Sequence, residues 1–172
     1  MRTTCIERLS EPPESMPDPP LPEGASPWFG RIAPGEDAAN NVVAHVSNVE
    51  YVRWLDRVGQ LHLEELGWPA DALLASGAMW FVARHEIDYR REATAGEVLL
   101  VATWVRSLRR VKSWRDTIVW RPHEDGEVVC TASTLWVHVN LDTRRPTRPP
   151  TEMAEALAPL GRDGDSPWRE RA

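Results

Sequence analysis

A chain of 172 residues suits one domain, and a domain of that size buries roughly 70% of its extended-chain surface, so neither a disulfide nor a metal is needed to hold it together. Twenty basic side chains against 26 acidic ones leave a formal charge of −6, which argues against a general nucleic-acid binder, although a local basic cluster can still hold a phosphorylated ligand. No stretch approaches the ~20 apolar residues of a membrane span, no signal peptide is expected around Arg2 and Arg8, and the two cysteines, Cys5 and Cys130, suit a reducing cytoplasm rather than a disulfide framework.

Residues 1–27 hold too much proline and too little apolar surface for a helix or an inner strand, and are expected to form an extended or disordered arm. Residues 28–32 read as a first short strand, after which Pro34-Gly35-Glu36-Asp37 turns the chain into a polar loop. Ser47 or Asn48 can cap the helix that follows, since a short side-chain oxygen accepts from an unpaired first-turn N–H. On that helix Tyr51, Leu55, Val58 and His62, with Trp54 and Leu61 beside them, recur at the helical period and predict one buried stripe, which Gly67 and Pro69 end. A further helical turn is expected around residues 71–76.

Beyond Gly77 the period changes to two. Strands are predicted at 79–89, 97–108, 111–121 and 127–140, the last pair joined by a hairpin turn at Glu124-Asp125-Gly126. Pro146, Pro149 and Pro150 end the sheet, residues 151–160 can form a short helix, and 161–172 read as a polar tail. The order of strand, long helix and at least four antiparallel strands predicts an α+β domain over residues 28–160, its sheet wrapped around the helix so that the apolar stripe is covered. Most of the tryptophans are expected in the core, with one or two free to line a pocket.

The run His45-Val46-Ser47-Asn48, followed by Tyr51 and by Arg53-Trp54-Leu55-Asp56, resembles the loop and helix start of hotdog-fold acyl-CoA thioesterases of the 4-hydroxybenzoyl-CoA thioesterase type. Phe81-Val82-Ala83-Arg84-His85-Glu86-Ile87-Asp88-Tyr89 resembles that family's second strand. Ala95-Gly96-Glu97-Val98 resembles its next turn, and Thr134-Leu135-Trp136-Val137 with Asp142-Thr143-Arg144-Arg145-Pro146 its last strand and tail. Together these cover about residues 28–150. The resemblance implies the hotdog fold, a homodimer or homotetramer, and an acyl-CoA substrate bound between subunits. It implies no required cofactor, coenzyme A entering only as part of the substrate.

In that family an aspartate before the helix attacks the thioester or activates water. It sits four residues before the His and ten before the Tyr, and both counts land here on Asn41. A carboxamide cannot take a proton from water near neutral pH, but it can orient a water or donate to an oxyanion. A loop longer by four residues instead aligns Asp37 with the acid, so Asn41 and Asp37 both stand as candidates, with His45 as an acid, base or oxyanion donor. The segment matching Arg110-Val111-Lys112-Ser113 lies near the pantetheine and nucleotide in the family. With Arg109, these residues are the expected coenzyme A contacts, inside a basic cluster that also counts Arg106 and Arg115. Arg144, Arg145 and Arg148 form a second cluster, read as a flexible tail.

His85 and Glu86 point to opposite faces of a strand and make no acid-base pair within a subunit. His45, His62, His85, His123 and His138 show no metal-ligand spacing, and no metal is expected. The leading expectation is a cytoplasmic acyl-CoA thioesterase without nucleic-acid or membrane partners. The alternatives are a catalytically inactive acyl-CoA binding or sensing protein, favoured by the missing aspartate, and a scaffold whose proline-rich arm binds a partner.

Overall fold

Helix α1 (Asn48–Glu65) starts where the Ser47 hydroxyl accepts from the Val49 N–H at 3.4 Å. In the computed structural model, which describes residues 3–39, 44–123 and 125–161, its buried side chains are Glu50, Tyr51, Trp54, Leu55, Val58 and His62, together with Gly59. That is the predicted stripe with Glu50 and Gly59 added and Leu61 only partly buried. Each large apolar side chain on it contributes about 1.5–3 kcal/mol by leaving water.

The stripe packs on a six-stranded antiparallel sheet built from β1 (Cys5–Arg8), β2 (Trp28–Ala33), β3 (Ala78–Tyr89), β4 (Leu99–Arg109), β5 (Lys112–Trp120) and β6 (Val128–Asn140). The order across the sheet is β1-β2-β4-β5-β6-β3, so β4, β5 and β6 form a meander while β3 crosses to the far edge and pairs with β6 alone. Short helices α2 (Ala70–Ala75) and α3 (Thr151–Ala156) close one end. This is the hotdog arrangement, an α+β fold.

Inner-face residues Ile32, Leu99, Val101, Val119 and Val129 meet Tyr51, Trp54 and Val58 of α1. The outer face is equally apolar, carrying Leu100, Ala102, Trp104, Ile118, Trp120 and Val128. Its cover comes from the proline-rich segment. Residues Leu9, Leu21 and Ala25 pack on that face with Phe29, the Trp120 Nε1 donates to the Ser15 carbonyl at 3.0 Å, and the Ser15 hydroxyl donates to the His123 carbonyl at 2.7 Å. Asp18 bridges Glu127, and Gly126, at φ 55°, lies so close to Met16 that a Cβ there would stand 2.1 Å from the Met16 carbonyl oxygen. The segment expected as an extended or disordered arm is therefore extended and docked as a strap. Its few apolar side chains suffice because each meets an apolar patch, and its backbone finds partners in the β5–β6 turn.

Candidate functional site

The start of α1 is pinned from both sides, Val46 N–H donating to the Ala93 carbonyl at 2.7 Å and Ser47 N–H to the Ala38 carbonyl at 2.9 Å. Ala39 bridges Val46, so the chain on either side of the loop of residues 40–43 is paired just before α1. Asn41 lies in that loop, outside the described residues. Against the start of α1 is a cleft of about 220 Å³ lined by His45, Asn48, Tyr51, Tyr89 and Arg90. Tyr51 stacks on Trp54 at 4.7 Å and meets Tyr89 edge-on at 5.1 Å. Burial pushes its phenol up to about 12, so it stays protonated as a packing residue. The Asn48 N–H has no acceptor among the described residues, as expected of a first-turn donor.

Asp37 sits on a one-turn 3₁₀ segment, Glu36–Ala38, and is exposed. Its Oδ1 accepts from the Thr4 N–H at 2.8 Å and from the Thr4 hydroxyl at 3.0 Å, which ties it to the chain just before β1. It does not line the cleft that holds His45.

The basic cluster divides once the strands are formed. Arg106 turns to the outer face and pairs at 2.9 Å with Asp116, both deeply buried, while Arg115 turns to the inner face. Arg109 and Lys112 face each other across the β4–β5 turn, with Arg110 at its tip at φ 55°. Ser113 is buried on the inner face, away from Lys112, since neighbours on a strand point to opposite sides. Arg148, read from sequence as part of a tail, joins Arg110 along an open cleft with Leu108, Thr151 and Glu155. The exposed cationic surface is thus Arg109, Arg110, Lys112 and Arg148.

A second cavity, about 170 Å³, lies between α1, the sheet, α2 and α3. Leu63, Trp68, Leu73, Met79, Trp80, Trp136 and Leu157 give it apolar walls, and Asp56, Gln60, Glu64, Ser113 and Arg115 supply the polar groups. Asp56 accepts from the Gln60 amide at 2.7 Å, and burial holds its carboxyl above the usual range against the opposing pull of His85 and Arg57. His85, on β3, is held below its usual range by burial, with Asp56 acting the other way, and its Nδ1 lies 3.0 Å from the Thr134 hydroxyl. Asp56 and His85 are therefore within electrostatic reach of each other. The sequence reading passed over this pair because the two residues lie on different elements. Among the described residues no group of three His, Cys, Asp or Glu side chains is placed to hold a metal ion, and no described helix is long and apolar enough to cross a membrane.

A curled antiparallel sheet around one long helix, with a cleft at the helix start, defines a hotdog-type domain. Residues 36–157 match the model of the thioesterase-like superfamily, and the chain belongs to that family. It is 30% identical over 115 residues to oleoyl-acyl carrier protein thioesterase 1, chloroplastic, of Arabidopsis thaliana, a match covering 63% of this chain and 31% of the plant protein. The chain thus spans about a third of that relative. In structure it resembles a putative oleoyl thioesterase from Lactobacillus plantarum, with a TM-score of 0.75 and 16% identity over 84% of this chain and 56% of the other. It also resembles a 1,4-dihydroxy-2-naphthoyl-CoA thioesterase from Synechocystis, with a TM-score of 0.71 and 15% identity over 78% and 98%.

Proposed function

We propose that this chain hydrolyses acyl-CoA thioesters to the free acid and coenzyme A, as an enzyme of the 4-hydroxybenzoyl-CoA thioesterase type. The observation that supports this best, given the family, is the solvent-open cleft at the first turn of α1, which His45 and Asn48 line and where the Asn48 N–H has no acceptor among the described residues. Asn41 orients the attacking water, and the first-turn N–H groups stabilise the negative charge that develops on the carbonyl oxygen. Water oxygen bonds to the carbonyl carbon, the carbon–sulfur bond breaks, and the proton that water gives up goes to the departing sulfur, with His45 in place to relay it. Arg109, Arg110 and Lys112 bind the phosphates of coenzyme A, and Ser113 takes part from the inner side. No cofactor is consumed. A homodimer joined through β3, or a pair of such dimers, suits the strand order, because β3 is an edge strand that exposes Phe81 and Val82.

One observation favours a second reading of the base. Asp56, with its raised affinity for a proton and His85 within electrostatic reach, lines the more apolar cavity, and a carboxylate is a stronger base than Asn41. The plant relative is named for an acyl carrier protein substrate, which makes that protein the alternative acyl carrier; thiol release from a panel of acyl-CoA and acyl-carrier-protein thioesters tests both points. Turnover abolished by Asn41→Ala supports the first mechanism. Turnover that survives Asn41→Ala but falls in Asp37→Ala or Asp56→Asn moves the base to that residue. Binding of every thioester without thiol release overturns the enzyme and leaves the acyl-CoA sensing alternative.

A further inference from the structure

The 170 Å³ cavity carries two hydrogen-bond donors with capacity to spare beside its two carboxylates, Asp56 and Glu64. Arg115 is only 5% exposed. Of its five N–H donors, those on Nη1 reach His62 Nδ1 at 2.9 Å and Thr103 Oγ1 at 3.2 Å, while Nε and Nη2 have no acceptor among the described residues. No described carboxylate lies within salt-bridge distance of it. Asp116, its neighbour in sequence, faces the other side of the sheet and is taken by Arg106 at 2.9 Å and by the Ser133 hydroxyl at 2.6 Å. His62 contributes no negative charge, since burial and the Arg115 cation push it down to about 3 and keep it neutral. Burial lowers Arg115 itself only to about 10, so it remains a cation at neutral pH.

A second donor stands next to the first. The Trp136 Nε1 is buried and has no partner among the described residues, whereas Trp80 in the same cavity donates to the Met153 sulfur at 3.3 Å. Trp136 and Arg115 converge on Gly59 of α1. A Cβ at that position would lie 3.4 Å from the Trp136 ring and 3.7 Å from Arg115 Nε, so the missing side chain leaves both groups room at one point of the cavity wall. A buried donor left without an acceptor is costly, and a buried cation more so. An apolar chamber with a charged and a neutral donor at one spot is complementary to a molecule that is apolar along its length and carries an acceptor oxygen at its end.

We propose that this cavity receives the far end of an acyl chain bearing an oxygen acceptor, a hydroxyl, oxo or carboxylate group, with Arg115 and Trp136 as its specificity-determining donors. The assignment deepens the thioesterase reading and rests on it for the statement that the ligand is an acyl group. The two carboxylates of the cavity wall are engaged elsewhere, Asp56 by Gln60 at 2.7 Å and Glu64 by Arg57 at 3.0 Å.

The experiment measures binding to the full chain by calorimetry, apart from any hydrolysis, using three thioethers of coenzyme A that cannot be hydrolysed and whose alkyl chains end in a methyl, a hydroxyl or a carboxylate group. The oxygenated ligands should bind at least about tenfold more tightly than the methyl-ended one, the worth of a hydrogen bond to a charged donor. A stronger preference for the carboxylate than for the hydroxyl identifies an anionic end group. Arg115→Met should erase the preference while the methyl-ended ligand still binds, and Trp136→Phe, which keeps the ring and removes only the N–H, should reduce it part-way. Equal affinity for all three ligands, or a preference untouched in both variants, overturns the assignment and leaves the donors to cavity water. Absence of thiol release from any thioester, with the preference intact, would instead refute the hydrolase reading and leave this one standing.

Discussion

Mild acid should destabilise this protein through His62, and the size of the effect follows from where the ring sits. In the folded chain the imidazole is buried on the inner stripe of α1, accepts from Arg115 through Nδ1 at 2.9 Å, and is pushed from 6.5 down to about 3. The unfolded chain therefore binds a proton at this site, below about pH 6.5, that the folded chain refuses. Stability from this group is fully present above that pH and is lost as the pH falls, at about 1.4 kcal/mol per pH unit, or about 2 kcal/mol between pH 7 and pH 5. Against a total of roughly 5–15 kcal/mol that is a large fraction. Urea unfolding of the wild type and of His62→Gln at a series of pH values isolates the contribution, because the carboxylates titrate alike in both chains and Gln can still accept from Arg115. The wild type should lose about 2 kcal/mol relative to the variant over that interval. Parallel stability curves for the two proteins would refute the reasoning, since they would mean that the folded chain admits the proton.

Three other outcomes are expected. Asp116→Ala leaves Arg106 buried without its 2.9 Å partner and should cost about 3–5 kcal/mol in the same unfolding assay; a loss under about 1 kcal/mol would show that the pair is solvated. Gly126→Ala drives a Cβ into the Met16 carbonyl and should cost about 1–3 kcal/mol, with faster proteolysis between residues 9 and 27 as its signature; an unchanged digestion pattern would mean that the strap is not held there. Phe81→Lys together with Val82→Lys places charge on the exposed part of β3 and should shift the sedimentation of the protein toward the monomer. A sedimentation coefficient identical to that of the wild type would argue against pairing through that edge.

The helix stripe was legible because Tyr51, Leu55, Val58 and His62 obey a single period, and one buried face is what that period encodes. Strand β1 was not legible, since Cys-Ile-Glu-Arg has only one half-buried side chain, Ile6, to mark it. The outer core was hidden for the opposite reason. Leu99 to Ser107 is buried on both faces, and a strand covered twice loses the alternation that would tell its sides apart. In the candidate site, residue type drew attention to the basic cluster, but only strand parity separates inward Arg115 and outward Arg106 from Arg109, Arg110 and Lys112 at the turn. The Arg115–Trp136 corner depends on Gly59, and an isolated glycine within a helix was its one sequence signal.

The strap also imposes an order on the chain's birth. Its docking surface is built from Trp120, His123, Gly126 and Glu127, more than a hundred residues downstream of Ser15, so at about 5–20 residues per second the segment waits of the order of ten seconds on the ribosome before its partners exist. A stretch with helical or strand propensity would spend that interval pairing with something else. The prolines that make it a poor helix and a poor inner strand keep it open for the whole interval, and its late arrival seals an apolar face that β4, β5 and β6 can only complete together.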